Sequence, residues 1–294
     1  MSAQFRDVFC QSADGLKLHA KVIGPDNSAA LPVFCVPGLT RTTDDFNEIA
    51  IALATDPGTP RKVVAIDLRG RGLSDYDPDP AKYSVPVELG DVLTMATSLG
   101  ISRTIMLGTS RGGLISMALA ATKPDLLAGV ILNDIGPALE MGGLVKIKGY
   151  ITNPPVRQTW GEAVTGLKGM FGTVFPSLTD ADWQVWARRA FRETAHGGLE
   201  RTYDERLSAT VEGIDLSNPP PPIWELFDAL AGIPLMLIHG ELSDLLSPQG
   251  VQDMITRRPD IDLVKVADQG HAPLLADKPT MDRIIAFCAR CDGA

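Results

Sequence analysis

Short apolar runs alternate with helix-like segments through much of the chain. Continuous apolar stretches such as residues 31–36 and 127–133 are typical of strands that are buried on both faces of a sheet. The segments between such runs, for example residues 87–99, have the length and periodicity of helices. Strand–helix units at this spacing predict a mostly parallel central sheet that is flanked by helices on both faces.

The alternation stops in the middle of the chain. Strand-like runs are missing there, and a segment that begins at Thr179 has apolar residues at helical spacing. Ten of the seventeen aromatic residues, including all four tryptophans, lie between positions 150 and 227. We therefore predict a core domain made of residues 1–138 and 223–294. An inserted helical cap, residues 139–222, is expected to cover an apolar pocket.

Composition and charge limit the classes of partner. A chain of 294 residues with 45% hydrophobic residues can bury a large core. The formal net charge of −9 argues against nucleic acid and anionic membrane surfaces as partners. The sequence has no membrane-length apolar run and no start that resembles a signal peptide. We expect a cytoplasmic protein that acts on a small molecule.

Glycine flanks a serine on both sides in the segment 108–112, Gly-Thr-Ser-Arg-Gly. An apolar run precedes this segment and a small-residue helical pattern follows it. A sharp turn from strand to helix needs glycine at both flanking positions, because side chains there would collide across the turn. Such a turn exposes the central hydroxyl at the carboxyl edge of the sheet. We therefore predict that Ser110 is a nucleophile.

Two other interpretations of this turn compete with a nucleophile. In the first, Ser110 caps the start of the helix and has no catalytic role. In the second, the turn binds a dinucleotide, but Ser110 occupies the place where a glycine must let the backbone approach a pyrophosphate. No acidic residue follows the next strand at the required distance, so we predict no cofactor.

We also predict no metal, because the pair Cys288 and Cys291 has no second cysteine pair or nearby histidine.

A serine nucleophile needs a neighbouring base, which is itself oriented by a carboxylate. His271 follows the last predicted strand, and Asp244 lies beyond the predicted strand 235–238. The order Ser110, Asp244, His271 is that of nucleophile, acid and base in one known arrangement on parallel sheets. Asp134 directly follows another predicted strand and is the alternative acid.

Acyl transfer also needs donors for the developing oxyanion, each of which contributes about 3 kcal/mol. The backbone N–H of Arg111 is one candidate, because it follows the nucleophile directly. We expect the second donor to be the backbone N–H of Leu39, since Gly38 allows the loop after an earlier buried strand to approach closely.

These motifs together resemble the α/β-hydrolase superfamily over almost the whole chain. The matching residues are segments 108–112 (Gly-Thr-Ser-Arg-Gly) and 67–74 (Asp-Leu-Arg-Gly-Arg-Gly-Leu-Ser), with Asp244 and Gly270-His271. Pro37 stands where the superfamily often has histidine in the oxyanion turn. By this resemblance, serine rather than aspartate at the nucleophile position argues against dehalogenases and epoxide hydrolases. The lack of a triple-glycine oxyanion motif argues against the hormone-sensitive-lipase type.

The sequence thus predicts a capped α/β-hydrolase that cleaves carboxylic esters of small to medium apolar acyl groups. The reaction would pass through an acyl-enzyme on Ser110. Two alternatives stay open: hydrolysis of a lactone or a carbon–carbon bond by the same three residues, and a ligand-binding receptor that retains a hydrolase pocket.

Overall fold

The computed structural model describes residues 4–152, 157–215, 217–218 and 220–293. Its strands and helices alternate along most of the chain. The strands are β1 (Arg6–Gln11), β2 (Lys17–Ile23), β3 (Val33–Val36), β4 (Val63–Asp67), β5 (Thr104–Thr109), β6 (Leu127–Asn133), β7 (Phe191–Glu193), β8 (Leu199–Arg201), β9 (Leu235–Gly240) and β10 (Asp262–Val266). The α-helices are α1 (Asn47–Ala54), α2 (Val85–Ser98), α3 (Arg111–Thr122), α4 (Met141–Thr152), α5 (Trp160–Phe171), α6 (Asp180–Ala190), α7 (Ala209–Glu212), α8 (Trp224–Asp228), α9 (Pro248–Arg257) and α10 (Lys278–Cys291).

The central sheet has the strand order β1-β2-β4-β3-β5-β6-β9-β10. The pairs β1–β2 and β2–β4 are antiparallel, and every other neighbouring pair in this sheet is parallel. The prediction of a mostly parallel sheet is confirmed. The carboxyl ends of β3, β5, β6, β9 and β10 therefore meet at one edge of the sheet.

Helices bury both faces of this sheet, which explains why its strands are continuously apolar. On β3, Phe34 and Val36 belong to a core that includes residues of α2, α3 and α8. The alternate residues Val33 and Cys35 belong to a second core that includes residues of α1 and α10.

The segment between β6 and β9 has its own small core. Ala163, Leu167, Phe175, Trp183 and Trp186 are buried together there. This apolar cluster forms because α5 and α6 pack their apolar faces against each other.

One expectation for this segment is wrong, because it does contain strands. The hairpin β7–β8 pairs antiparallel, with Gly197 and Gly198 both at φ 83° between its strands. Each strand has only three residues and carries charged side chains, so neither forms the apolar run that signals a buried strand.

The helices of the described residues include none that is both long and apolar enough to cross a membrane.

The turn from β5 to α3 is closely packed. Ser110 has φ 50° and ψ −110°, a conformation that non-glycine residues rarely adopt. A Cβ atom on Gly108 would lie 2.4 Å from the carbonyl oxygen of Gly112. A Cβ atom on Gly112 would lie 2.0 Å from the carbonyl oxygen of Val36 on β3. Both glycines are therefore required for helix α3 to approach the sheet.

We predict that Gly112→Ala lowers the free energy of unfolding by about 3 kcal/mol, because backbone atoms of β3 must move to admit the methyl group. Gly90→Ala on α2 is the matched control, since a Cβ atom there meets nothing within 4 Å. This control should raise the free energy of unfolding by about 0.5–1 kcal/mol. Urea denaturation measures both, and equal effects of the two substitutions would contradict the steric account.

Candidate active site

A chain of two hydrogen bonds links three residues at the carboxyl edge of the sheet. Ser110 lies in the turn after β5, and His271 lies in the loop after β10. His271 Nε2 is 2.8 Å from Ser110 Oγ, and His271 Nδ1 is 2.8 Å from Asp134 Oδ2. An imidazole with its proton on Nδ1 donates to the carboxylate and leaves Nε2 free to accept the serine proton.

Asp134 is fully buried directly after β6 and has φ 56°. Its carboxylate lies within hydrogen-bonding distance of three groups: His271 Nδ1, the backbone N–H of Gly240 at 2.9 Å, and Ser243 Oγ at 2.6 Å. A buried carboxylate without partners would carry a large desolvation cost. These partners offset that cost and hold the carboxylate against the histidine.

The structure does not bring Asp244, the predicted acid, into contact with His271. Asp244 Oδ2 instead accepts a hydrogen bond from Lys146 on α4. The reason is that β9 continues to Gly240, and the loop that follows carries Asp244 towards α4. The alternative acid Asp134 occupies the position beside His271.

Asp134 and Asp244 are both reasonable candidates for the acid, because each follows one of two neighbouring strands. Asn133 on β6 pairs with Ile238 on β9, so the two strands end side by side. Asn133 Nδ2 also donates to Thr109 Oγ1 and to the carbonyl oxygen of Pro273, both at 3.0 Å. This buried amide connects the loop that carries His271 with the end of β5, directly before Ser110.

Sequence reasoning missed Asn133 and Ser243. Asn133 is a fully buried polar residue at the end of an apolar strand, which is a signal that the sequence contains. Ser243 carries no comparable signal, because its contact with Asp134 depends on the course of the loop after β9.

The loop that contains Gly38 and Leu39 lies beside Ser110. A Cβ atom on Gly38 would be 3.7 Å from the Cβ atom of Ser110, and Leu39 borders the same cavity as Ser110 and His271. Helix α3 begins at Arg111, so the N–H of Arg111 belongs to the first turn, which has no intrahelical acceptor. Of the two predicted oxyanion residues, Arg111 directly follows Ser110, and Leu39 follows Gly38 at the edge of the same cavity.

Buried charges hold Leu39 and Arg111. Arg71 Nε donates to the carbonyl oxygen of Leu39 at 2.8 Å, and Arg111 Nε donates to Glu88 Oε2 at 2.7 Å. Arg71 and Glu88 form a fully buried ion pair at 2.8 Å. One carboxylate on α2 therefore connects the loop after β3 with the start of α3.

A cavity of about 150 Å³ adjoins Ser110 and His271. Apolar side chains from the segment between β6 and β9 form much of its wall: Ile147, Leu167, Met170, Phe171, Trp186 and Phe191. Four arginines also border it: Arg41, Arg157, Arg189 and Arg201.

Residues 33–283 match the model of the Alpha/beta hydrolase family. The chain belongs to this family. It is 32% identical to a 3-hydroxybutyrate-oligomer hydrolase of Cupriavidus necator, over 94% of this chain and 95% of the relative. It is 23% identical to a 2-(acetamidomethylene)succinate hydrolase of Mesorhizobium japonicum, over 80% of this chain and 79% of the relative.

Among solved structures, this alpha/beta hydrolase is similar to an alpha/beta hydrolase from Novosphingobium aromaticivorans, with a TM-score of 0.90 and 36% identity. The similarity covers 98% of this chain and 99% of the other chain. The fold and the general class of hydrolase are therefore shown, and the bond that is cleaved is a separate question.

We predict that Asp134→Asn lowers kcat/KM by about 10³-fold or more, because an amide cannot hold the Nδ1–H tautomer of His271 or stabilise its charge. The matched substitution Asp244→Asn should lower kcat/KM less than about threefold, since Asp244 contacts Lys146. Steady-state kinetics on one ester substrate measures both variants. A larger loss in Asp244→Asn than in Asp134→Asn would restore Asp244 as the acid.

Proposed function

We propose that this alpha/beta hydrolase cleaves carboxylic esters through an acyl-enzyme on Ser110. The observation that carries the proposal is the chain from Asp134 through His271 to Ser110, with both contacts at 2.8 Å. A serine hydroxyl is a weak nucleophile unless a base accepts its proton, and this chain supplies that base in hydrogen-bonding contact.

His271 Nε2 accepts the Ser110 proton while Oγ attacks the ester carbonyl carbon. The resulting imidazolium is stabilised by the buried carboxylate of Asp134. His271 then donates the proton to the leaving alcohol, and the acyl group stays on Ser110. Water attacks the acyl carbon while His271 accepts one of its protons, and His271 then donates that proton to the leaving Oγ of Ser110, which gives the carboxylic acid and the free serine hydroxyl.

The oxyanion of each tetrahedral intermediate would accept hydrogen bonds from the backbone N–H groups of Leu39 and Arg111. Support for this assignment comes from the closeness of the Leu39 loop to Ser110 and from the start of α3 at Arg111. The buried ion pair of Arg71 and Glu88 would keep both donors in place during the reaction.

Residues 139–222 would act as the cap that shapes the acyl pocket. Their apolar side chains border the cavity beside Ser110, which favours a small or medium apolar acyl group. The similarity to a 3-hydroxybutyrate-oligomer hydrolase supports esters in particular, because ester bonds join the units of a hydroxy-acid oligomer.

We expect wild-type protein to hydrolyse short p-nitrophenyl esters with higher kcat/KM than lactones or ring-cleavage diketones. Ser110→Ala should lower kcat/KM for the esters by about 10⁴-fold or more, because the acyl acceptor is removed. The control Ser98→Ala, at an exposed position at the end of α2, should retain turnover.

Parallel assays of the three substrate classes separate the alternatives. Faster turnover of lactones or diketones would replace the ester proposal with one of the other two reactions. Full ester turnover by Ser110→Ala would rule out the acyl-enzyme, and binding without any turnover would favour a receptor.

A further inference from the structure

The cavity beside Ser110 differs in charge from the protein as a whole. The chain has a formal net charge of −9. Among the described residues, however, the arginine and acidic side chains that border this cavity are four arginines and one aspartate, Asp45. An arginine at this cavity can bind an anionic ligand when its guanidinium is not already paired with a carboxylate of the protein.

Three of the four arginines have carboxylate partners. Each of these ion pairs is formed within the protein itself, so the positive charge is largely compensated. The pairs are Arg41 with Asp45, Arg189 with Glu48, and Arg201 with Glu205.

Arg157 is different. Within residues 4–152, 157–215, 217–218 and 220–293, no carboxylate or other hydrogen-bond acceptor contacts its guanidinium group. The side chain is only partly exposed and borders the cavity that also contains Ser110 and His271. A partly buried guanidinium without a partner has donors left to bind a ligand.

The surrounding structure fixes the position of Arg157. The backbone N–H of Leu199 on β8 donates to the Arg157 carbonyl oxygen at 3.1 Å. The guanidinium lies against Gly166 of α5, where a Cβ atom would be 2.1 Å from the terminal nitrogen Nη2. Gly166 therefore provides the space that the guanidinium occupies beside the cavity.

We infer that Arg157 binds a free carboxylate of the substrate, so that the preferred substrates are esters that also carry a carboxylic acid. The planar guanidinium donates two parallel N–H groups, which match the two oxygens of a carboxylate. The apolar wall of the cavity would contact the carbon chain between the carboxylate and the ester bond. This inference rests on the proposed ester hydrolysis at Ser110.

Matched pairs of substrates test the carboxylate. One set has the acid on the acyl side: p-nitrophenyl monoesters of malonate, succinate, glutarate and adipate, each compared with its methyl-capped diester. The other set has the acid on the alcohol side: 3-acetoxybutyrate compared with its methyl ester. The readout is the ratio of kcat/KM for the acid to kcat/KM for the capped compound.

We expect this ratio to exceed about 10 for at least one chain length in wild-type protein. A charge-assisted hydrogen bond to the carboxylate contributes a difference of about this size. In Arg157→Met, which replaces the guanidinium by an uncharged, unbranched side chain, the ratio should fall at least about tenfold. The control Arg192→Met removes an arginine that pairs with Glu200 on the exposed hairpin, and its ratio should match wild type.

Binding of an uncleavable ligand separates this inference from the proposed reaction. Calorimetry compares glutarate with the neutral glutaramide on wild-type protein, Arg157→Met and Arg192→Met. Glutarate should bind wild type and Arg192→Met more tightly than Arg157→Met by about tenfold, whatever bond the enzyme cleaves.

The turnover and binding results together distinguish the carboxylate site from the proposed ester hydrolysis. Ester turnover without any acid preference, or an acid preference that survives in Arg157→Met, would overturn the carboxylate site and leave ester hydrolysis standing. Arg157-dependent glutarate binding without ester turnover would overturn the proposed reaction and support the carboxylate site.

Discussion

The strained turn at Ser110 is the constraint on which the site depends. A positive φ at this serine belongs to a tight turn that presents its hydroxyl at the carboxyl edge of the sheet and brings β5, α3 and β3 into close contact. Gly108 and Gly112 make that contact possible, since any side chain at either position would meet backbone atoms. The rest of the site is arranged around a hydroxyl whose position the backbone has already fixed.

Buried polar groups then connect the strand ends to this hydroxyl. Asp134 is held by groups from β9 and from the loops after β9 and β10, so its carboxylate joins elements that are distant in the sequence. Asn133 similarly links β5 with the loop after β10. Because an unpartnered buried carboxylate is costly, the geometry of His271 and the stability of this sheet edge depend on the same contacts.

The fold and two members of the site could be predicted because their signals are local. Continuous apolar runs indicate strands buried on both faces, and the glycines around Ser110 indicate the turn. The acid could not be chosen in the same way, because Asp134 and Asp244 both follow strands that lie side by side. Their different contacts arise from a positive φ at Asp134 and from the course of the loop after β9. Neither feature can be recognised from the sequence. The guanidinium of Arg157, which has no partner among the residues that the structure describes, likewise cannot be recognised from the sequence, because its surroundings depend on the packing of α5 and β8.

The proposed reaction requires that Ser110 becomes covalently acylated during turnover. Peptide mapping by mass spectrometry, after rapid acid quenching of the enzyme during hydrolysis of a slow ester, tests it directly. We expect one added acyl mass on the peptide that contains Ser110, and none on that peptide in Ser110→Ala. An acyl group found on a different residue, or continued turnover by Ser110→Ala, would contradict it.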